Sequence, residues 1–311
     1  MTNLYSPAYE LAAPAPAVPA PPPVRYPSPP PALRWLRWQL KVLGAVAPGL
    51  AFRLAWKLFG TPRRLPVQPW EAAVLADARR RTVAAPAGPV AVYEWGLATA
   101  PAVVLVHGWE HRASFWRAWI GPLLAAGYRV VALDGPGHGQ SPGRWVTLVQ
   151  FAEAVQTVAQ EVVATSPVQA IVAHSFGAAA VAGLPVQLPA GAALPRLVLL
   201  SVPVNMREVA HRFADLLHQG PALVQRMIQE IQVLTGRTAQ SFATATAGPG
   251  TRAERVLLVH DEFDAIVPFR EGQQVAAAWP GATLHATRGL GHNRILRDAD
   301  VVQTALAFIA D

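Results

Sequence analysis

Short, continuous apolar runs limit what this chain can become more than any other feature. They lie near Val90–Trp95, Ala102–His107, Arg129–Leu133, Val168–His174, Arg196–Leu200, Arg255–His260 and Ala282–Ala286. A strand with one wet face alternates apolar and polar residues. A run such as Ala102-Val103-Val104-Leu105-Val106 does not alternate, so both of its faces must be covered. Helix-like stretches, for example near Ser114–Ala126 and Thr147–Ala164, separate most of the runs. Buried strands alternating with helices predict an α/β fold, a mostly parallel central sheet with helices on both faces. At 311 residues the chain is long enough to bury such a core.

One connection breaks the rhythm. More than fifty residues separate Leu200 from Arg255, and Leu223, Met227, Ile231 and Leu234 recur within them at helical spacing. An insertion over the carboxyl edge of a sheet is where a helical lid would sit, at about residues 203–253. Its apolar stripe reads first as packing, and Leu223 and Met227 are carried as candidate pocket residues.

The N-terminal part has a different character. Eleven of the first 31 residues are proline, so residues 1–31 predict a disordered or polyproline-like arm. Residues 32–60 predict a basic amphipathic helical segment. In it Leu33, Leu36, Leu40 and Leu43 form one stripe, and Arg34, Arg37 and Lys41 lie on another face. Residues 61–311 would form the main domain. The net charge of +7 divides unevenly. Residues 1–81 hold 11 Lys/Arg against 3 Asp/Glu, a balance of +8, and residues 82–311 hold 15 against 16, a balance of −1. With the main domain neutral and no basic, aromatic-rich groove in it, nucleic acid is not the expected partner. Two readings of residues 32–60 stay open. The apolar face packs on the main domain, or the segment makes weak contact with a membrane surface, to which Trp35 and Trp38 are suited. There is no cysteine, which excludes a thiol nucleophile and fits a reducing compartment. The first 31 residues lack the basic start and apolar stretch of a secretory signal. The expected location is the cytoplasm, with peripheral attachment to a membrane as the variant.

The chemistry gathers at Ile171-Val172-Ala173-His174-Ser175-Phe176-Gly177. An apolar strand runs into a serine that has a small residue two places before and two places after, and a helical stretch follows. Small neighbours let a tight, strained turn lift the hydroxyl out at the sheet edge. Three further motifs lie around it: Leu105-Val106-His107-Gly108-Trp109, Asp134-Gly135-Pro136-Gly137-His138-Gly139-Gln140-Ser141, and Val259-His260-Asp261-Glu262-Phe263-Asp264-Ala265-Ile266-Val267-Pro268. Gly289-Leu290-Gly291-His292-Asn293 follows the last strand.

In this order, from about Val90 onward, the chain resembles the α/β-hydrolase superfamily, on its serine esterase and monoacylglycerol lipase-like side. Ala173 stands where the usual G-x-S-x-G elbow has its first glycine. The resemblance implies that fold, with a short helical lid inserted after the sixth strand. It implies Ser175 as nucleophile and His292 as base. The acid in such proteins is the Asp three residues before a Val-Pro, which is Asp264 here, with Asp261 and Glu262 as alternatives. The backbone N–H groups of Trp109 and Phe176 would form the oxyanion hole. His107 lies on the wrong side of the elbow for a base and is read as structural, as are Asp134 and His138. Trp109, Phe115 and Trp116 around the oxyanion turn are candidate lining for a substrate pocket.

A serine hydroxyl needs a base to make it a nucleophile, so His292 would take its proton and later protonate the leaving group. The leading expectation is a carboxylic-ester hydrolase acting on a small-molecule ester through an acyl-enzyme. The alternatives are the same triad acting on thioester, peptide or C–C bonds, and a non-catalytic ligand-binding α/β-hydrolase. No cofactor or metal is implied, and oligomeric state is left open.

Overall fold

The computed structural model describes residues 30–244, 253 and 255–311. Most of the proline-rich arm, and part of the insertion expected at 203–253, lie outside the described residues. The segment expected as one helical stretch is two helices, α1 (Pro31–Val46) and α2 (Pro48–Gly60), followed by α3 (Pro69–Ala76). Pro48 causes the break. It has no N–H to donate and its ring clashes with a preceding helical turn, so it opens α2 instead of continuing α1.

Among the described residues, eight strands form one sheet: β1 (Arg79–Ala85), β2 (Gly88–Trp95), β3 (Ala102–Val106), β4 (Arg129–Asp134), β5 (Val168–His174), β6 (Arg196–Leu200), β7 (Val256–Asp261) and β8 (Thr283–Thr287). Their order across the sheet is β1-β2-β4-β3-β5-β6-β7-β8. β2 pairs antiparallel with both β1 and β4, and every other pairing is parallel. The remaining α-helices among the described residues are α4 (Arg117–Ala125), α5 (Leu148–Val163), α6 (Phe176–Gly183), α7 (Met206–Leu216), α8 (Pro221–Thr235), α9 (Phe269–Ala278), α10 (Gly291–Arg294) and α11 (Ala299–Ala310). Phe151, Val155 and Val158 of α5 head the core on one face of the sheet, joined by α6 and Val275 of α9. Trp119 and Leu123 of α4, with Val301 and Ala305 of α11, fill the other face. This double cover is what the non-alternating strands require.

β1 is an addition to the strands expected from sequence. It opens Arg79-Arg80-Arg81, a run that reads as a solvated loop, but it occupies the sheet edge, where charged side chains discourage further pairing. Arg79 and Arg81 each reach the buried carboxylate of Glu94 on β2 at 2.5 Å, and Arg129 of β4 reaches it at 2.8 Å. Burial alone would raise the Glu94 pKa; hydrogen bonds from Arg81, Arg129 and Arg79 outweigh it and hold the carboxyl below its usual range.

Between β6 and β7, α7 and α8 stand off the sheet and are covered by the N-terminal helices. Met227 and Val224 of α8 pack with Ala210 and Ala214 of α7 and with Phe52 of α2. Leu40 of α1 packs with Ala55 and Leu217, joined by Leu33, Leu36, Phe213 and Leu223. Buried Glu271 of α9 ties this layer down, pairing with Arg212 of α7 and accepting from Val204 N at 3.0 Å.

Candidate active site

β5 ends in a turn whose central residue is strained. Ser175 has φ 51°, a left-handed value unusual for a residue with a side chain, between the last strand residue and the first turn of α6. The turn is fixed from both sides: Ser175 N–H donates to Leu200 O at 2.9 Å, and Ser175 O accepts from Ala179 N. Gly177 is required by close approach. A methyl group there would stand 2.8 Å from Val106 O and 2.9 Å from Val106 Cγ1, and closer still to His107 O. The elbow therefore rests directly on the end of β3.

The carboxyl ends of β7 and β8 bring up two more groups. His292, in α10 after β8, places Nε2 2.9 Å from Ser175 Oγ and Nδ1 2.8 Å from Asp264 Oδ2. With Nδ1–H donating to the carboxylate, Nε2 is left to accept from the hydroxyl. Asp264 follows β7, and its other oxygen accepts from the N–H groups of Ile266 at 2.8 Å and Val267 at 2.9 Å. Burial works to raise the Asp264 pKa, but the bond and charge of His292 and the two backbone donors overcome it, and the carboxyl stays below its usual value.

The other two acids are occupied elsewhere. Asp261 accepts from Phe263 N, Thr287 Oγ1 and Leu290 N, so it holds together the loops that carry Asp264 and His292. Glu262 bonds Arg288 at the surface, 2.9 Å from its Nε.

Trp109 follows Gly108 after β3, and its ring packs edge-on against Phe176, centroids 5.0 Å apart. Among the described residues, no protein acceptor takes the backbone N–H of either residue. Two free donors thus stand on the two turns that meet at Ser175. His107 accepts from Gly135 N at 2.9 Å, and Asp134 accepts from Ala113 N at 2.8 Å and Gln140 N at 2.7 Å; both tie loops together at the ends of β3 and β4.

A cavity of about 520 Å³ opens over Ser175 and His292. Trp109 and Phe115 line it. Trp116 does not: it is buried against Trp119, rings 5.4 Å apart, in the core below. Ala113–Trp116 form a single 3₁₀ turn, and successive residues of such a turn point in different directions, so Phe115 takes the cavity side and Trp116 the core. Leu223 and Met227 also lie away from the cavity, because α1 and α2 cover the stripe to which they belong. Trp116, Leu223 and Met227, expected from sequence as pocket residues, are therefore not part of the lining of this cavity.

Other residues of the site gave no signal in the sequence. His174, buried beside Ser175, donates from Nε2 to His292 O at 2.9 Å and so steadies the loop that carries His292. Burial pushes its pKa well down, so the ring is neutral. Buried Glu71 of α3 pairs with Arg112 at 2.9 Å, and Arg112 in turn donates to Leu65 O. Arg63 grips Glu110 with two nitrogens. Through these contacts the stretch from Arg63 to Pro66 straps onto the loop after Trp109, and Arg63 and Leu65 reach the cavity wall. Among the described residues, no three His, Asp or Glu side chains converge as metal ligands would.

Comparison with known proteins bears on the fold and the family. Residues 103–304 match the model of the alpha/beta hydrolase family. The chain belongs to that family. This alpha/beta hydrolase is 29% identical over 228 residues to the dihydrolipoyllysine-residue acetyltransferase component of an acetoin cleaving system from Cupriavidus necator, covering 62% of the chain and 59% of the relative. A bifunctional esterase/perhydrolase of Acinetobacter calcoaceticus is 30% identical over 115 residues, 36% of the chain and 41% of the relative. The chain spans between 16% and 59% of the length of the curated relatives it matches. Among solved structures, an esterase of Pyrococcus furiosus superposes with a TM-score of 0.59 at 16% identity, over 80% of this chain and 95% of that one. A Rhodococcus esterase gives 0.54 at 18% identity, over 75% and 98%. At such identities the likeness is one of fold. No helix among the described residues is long and apolar enough to cross a membrane.

Proposed function

We propose that the chain is a serine hydrolase that cleaves carboxylic esters through an acyl-enzyme on Ser175. The observation that carries this reading is the unbroken hydrogen-bonded line Ser175 Oγ, His292 Nε2, His292 Nδ1, Asp264 Oδ2, with steps of 2.9 and 2.8 Å. Ser175 Oγ attacks the ester carbonyl carbon while its proton passes to His292 Nε2. The carbonyl oxygen takes the negative charge and accepts from the N–H groups of Trp109 and Phe176. Collapse of the adduct expels the alcohol, which leaves with the proton from His292. Water then repeats the sequence on the acyl-enzyme, freeing the acid and restoring the serine. Asp264 keeps Nδ1 protonated throughout and offsets the charge of the transient imidazolium. The esterase named among the relatives supports the choice of bond, and so does a cavity wide enough for a small or medium acyl group.

The test pairs labelling with turnover. A fluorophosphonate should modify Ser175 stoichiometrically, and Ser175→Ala should lose ester turnover on the order of 10⁴-fold or more while melting like the wild type. A panel of p-nitrophenyl esters of graded chain length, with a thioester and an amino-acid anilide beside them, reads the scissile bond. If Ser175→Ala kept a tenth of the activity, the nucleophile would be another group. Labelling without turnover of any member of the panel would favour a binding protein.

A further inference from the structure

Helix α1 has two apolar faces, and among the described residues only one is covered. Leu33, Leu36 and Leu40 seat it on Leu217, Phe213 and Leu223, and Arg37 Nε donates to Leu216 O at 2.9 Å. On the opposite side Trp35, Trp38, Val42 and Val46 succeed one another at spacings of three and four, so they form a second stripe. Trp35 is 61% exposed and Trp38 59%, and Val46 is more exposed than either. Lone surface hydrophobes need no explanation, but a contiguous stripe with two tryptophans on one helix marks a contact surface.

Charge narrows what that contact is. From Pro31 to Trp70 the chain has seven Lys/Arg and no Asp or Glu. Arg34 and Lys41 lie two helical turns apart and border the tryptophan stripe. On α2 Leu50, Arg53 and Lys57 are exposed in one row. Among the described residues none of Arg34, Lys41, Arg53 or Lys57 has a side-chain partner, whereas Arg63 is engaged by Glu110. An apolar stripe edged by free cations, with tryptophan as its aromatic residue, complements an interface that is apolar within and negative at its surface.

We propose that α1 docks the protein on an anionic lipid surface through Trp35, Trp38, Val42 and Val46, with Arg34 and Lys41 facing the headgroups. One amphipathic helix of this kind gives reversible attachment. Because the leucine face of the same helix holds α7 and α8, attachment uses surface the fold leaves open and unpacks nothing. The proposal stands apart from the chemistry at Ser175.

The test is co-sedimentation of the full chain with phosphatidylcholine vesicles, with and without phosphatidylserine. Binding is expected only with phosphatidylserine, at low salt, and should weaken as salt rises. The double variant Trp35→Ser/Trp38→Ser and the double variant Arg34→Glu/Lys41→Glu should each bind on the order of tenfold more weakly. All four side chains are exposed, so both variants should keep the wild-type melting temperature and rate on a soluble ester. No sedimentation with phosphatidylserine vesicles at low salt would overturn the proposal. So would binding unchanged in both variants, or a dimer in sedimentation velocity that the tryptophan substitutions dissolve, since a second copy would then be what covers the stripe.

Discussion

Gly177→Ala tests how the elbow is held. The added methyl would sit 2.8 Å from Val106 O and 2.9 Å from Val106 Cγ1, with His107 O nearer than both. Ordinary carbon–oxygen contacts begin at about 3.3 Å and carbon–carbon contacts at about 3.5 Å, so something must yield by about 0.5 Å or more. Two of the three obstacles are backbone at the end of β3, which the paired strands β4 and β5 hold in place. The elbow is therefore the part that moves. Overpacking of this kind costs about 1–3 kcal/mol of stability. The catalytic cost should be larger, because the shift separates Phe176 N–H from Trp109 N–H, and sub-ångström to ångström displacements in such sites lower rates by about 100-fold. The loss should fall on kcat rather than KM, since the oxyanion exists only in the transition state. The assays are kcat and KM on a p-nitrophenyl ester and urea unfolding. Gly121→Ala is the control: nothing lies within 4 Å of its added methyl, and in α4 it should stabilise by about 0.5–1 kcal/mol. A Gly177→Ala protein with wild-type kcat and unfolding midpoint would refute the reasoning.

Four further outcomes follow from the same contacts. Asp264→Asn should lower kcat on the order of 10⁴-fold by unsettling the His292 tautomer, and Asp261→Asn should lower it less, by loosening the loops it ties; the reverse order in steady-state kinetics would move the acid to Asp261. Met227→Ala should cost about 2–5 kcal/mol in urea unfolding and leave KM for short esters unchanged, and a raised KM would return Met227 to the pocket. Glu94→Gln should cost about 3 kcal/mol by stranding buried Arg129, with activity per folded molecule unaltered; a neutral result would show that the cluster contributes nothing. Burial pushes His111 and His138 down to about 4, while in the unfolded chain histidine titrates near ~6.5. Between those values only the unfolded chain takes up the protons, so stability should fall as pH drops from about 6.5 to 4, by up to about 1.4 kcal/mol per pH unit for each ring. An unfolding midpoint that is flat over this range would contradict neutral burial of the pair.

What the sequence made legible, and what it hid, divides along one physical line. The elbow could be read because its constraints are local: a buried strand, a serine, and neighbours small enough for a tight turn all lie within Ile171–Gly177. The parallel sheet could be read because burial on both faces removes alternation strand by strand. β1 was hidden because three arginines signal solvent, and the partner that two of them, Arg79 and Arg81, find in the sheet, Glu94, lies outside the run. The cavity wall was hidden for the same kind of reason. Phe115 and Trp116 are adjacent, equally aromatic, and sent to opposite sides by a turn that packs Trp116 on Trp119 in the core. Glu71 and Arg112 are 41 positions apart, so neither announces the strap that brings Arg63 and Leu65 to the cavity. Helical stripes show the limit most clearly. Leu223 and Met227 declare that their face is covered, but periodicity is silent on what covers it, and the cover is α1 and α2 rather than a substrate. Helix α1 carries the converse case: two apolar stripes of similar strength stand in its sequence, and only after α7 and α8 have taken the leucines does the tryptophan stripe become the one that still needs a partner.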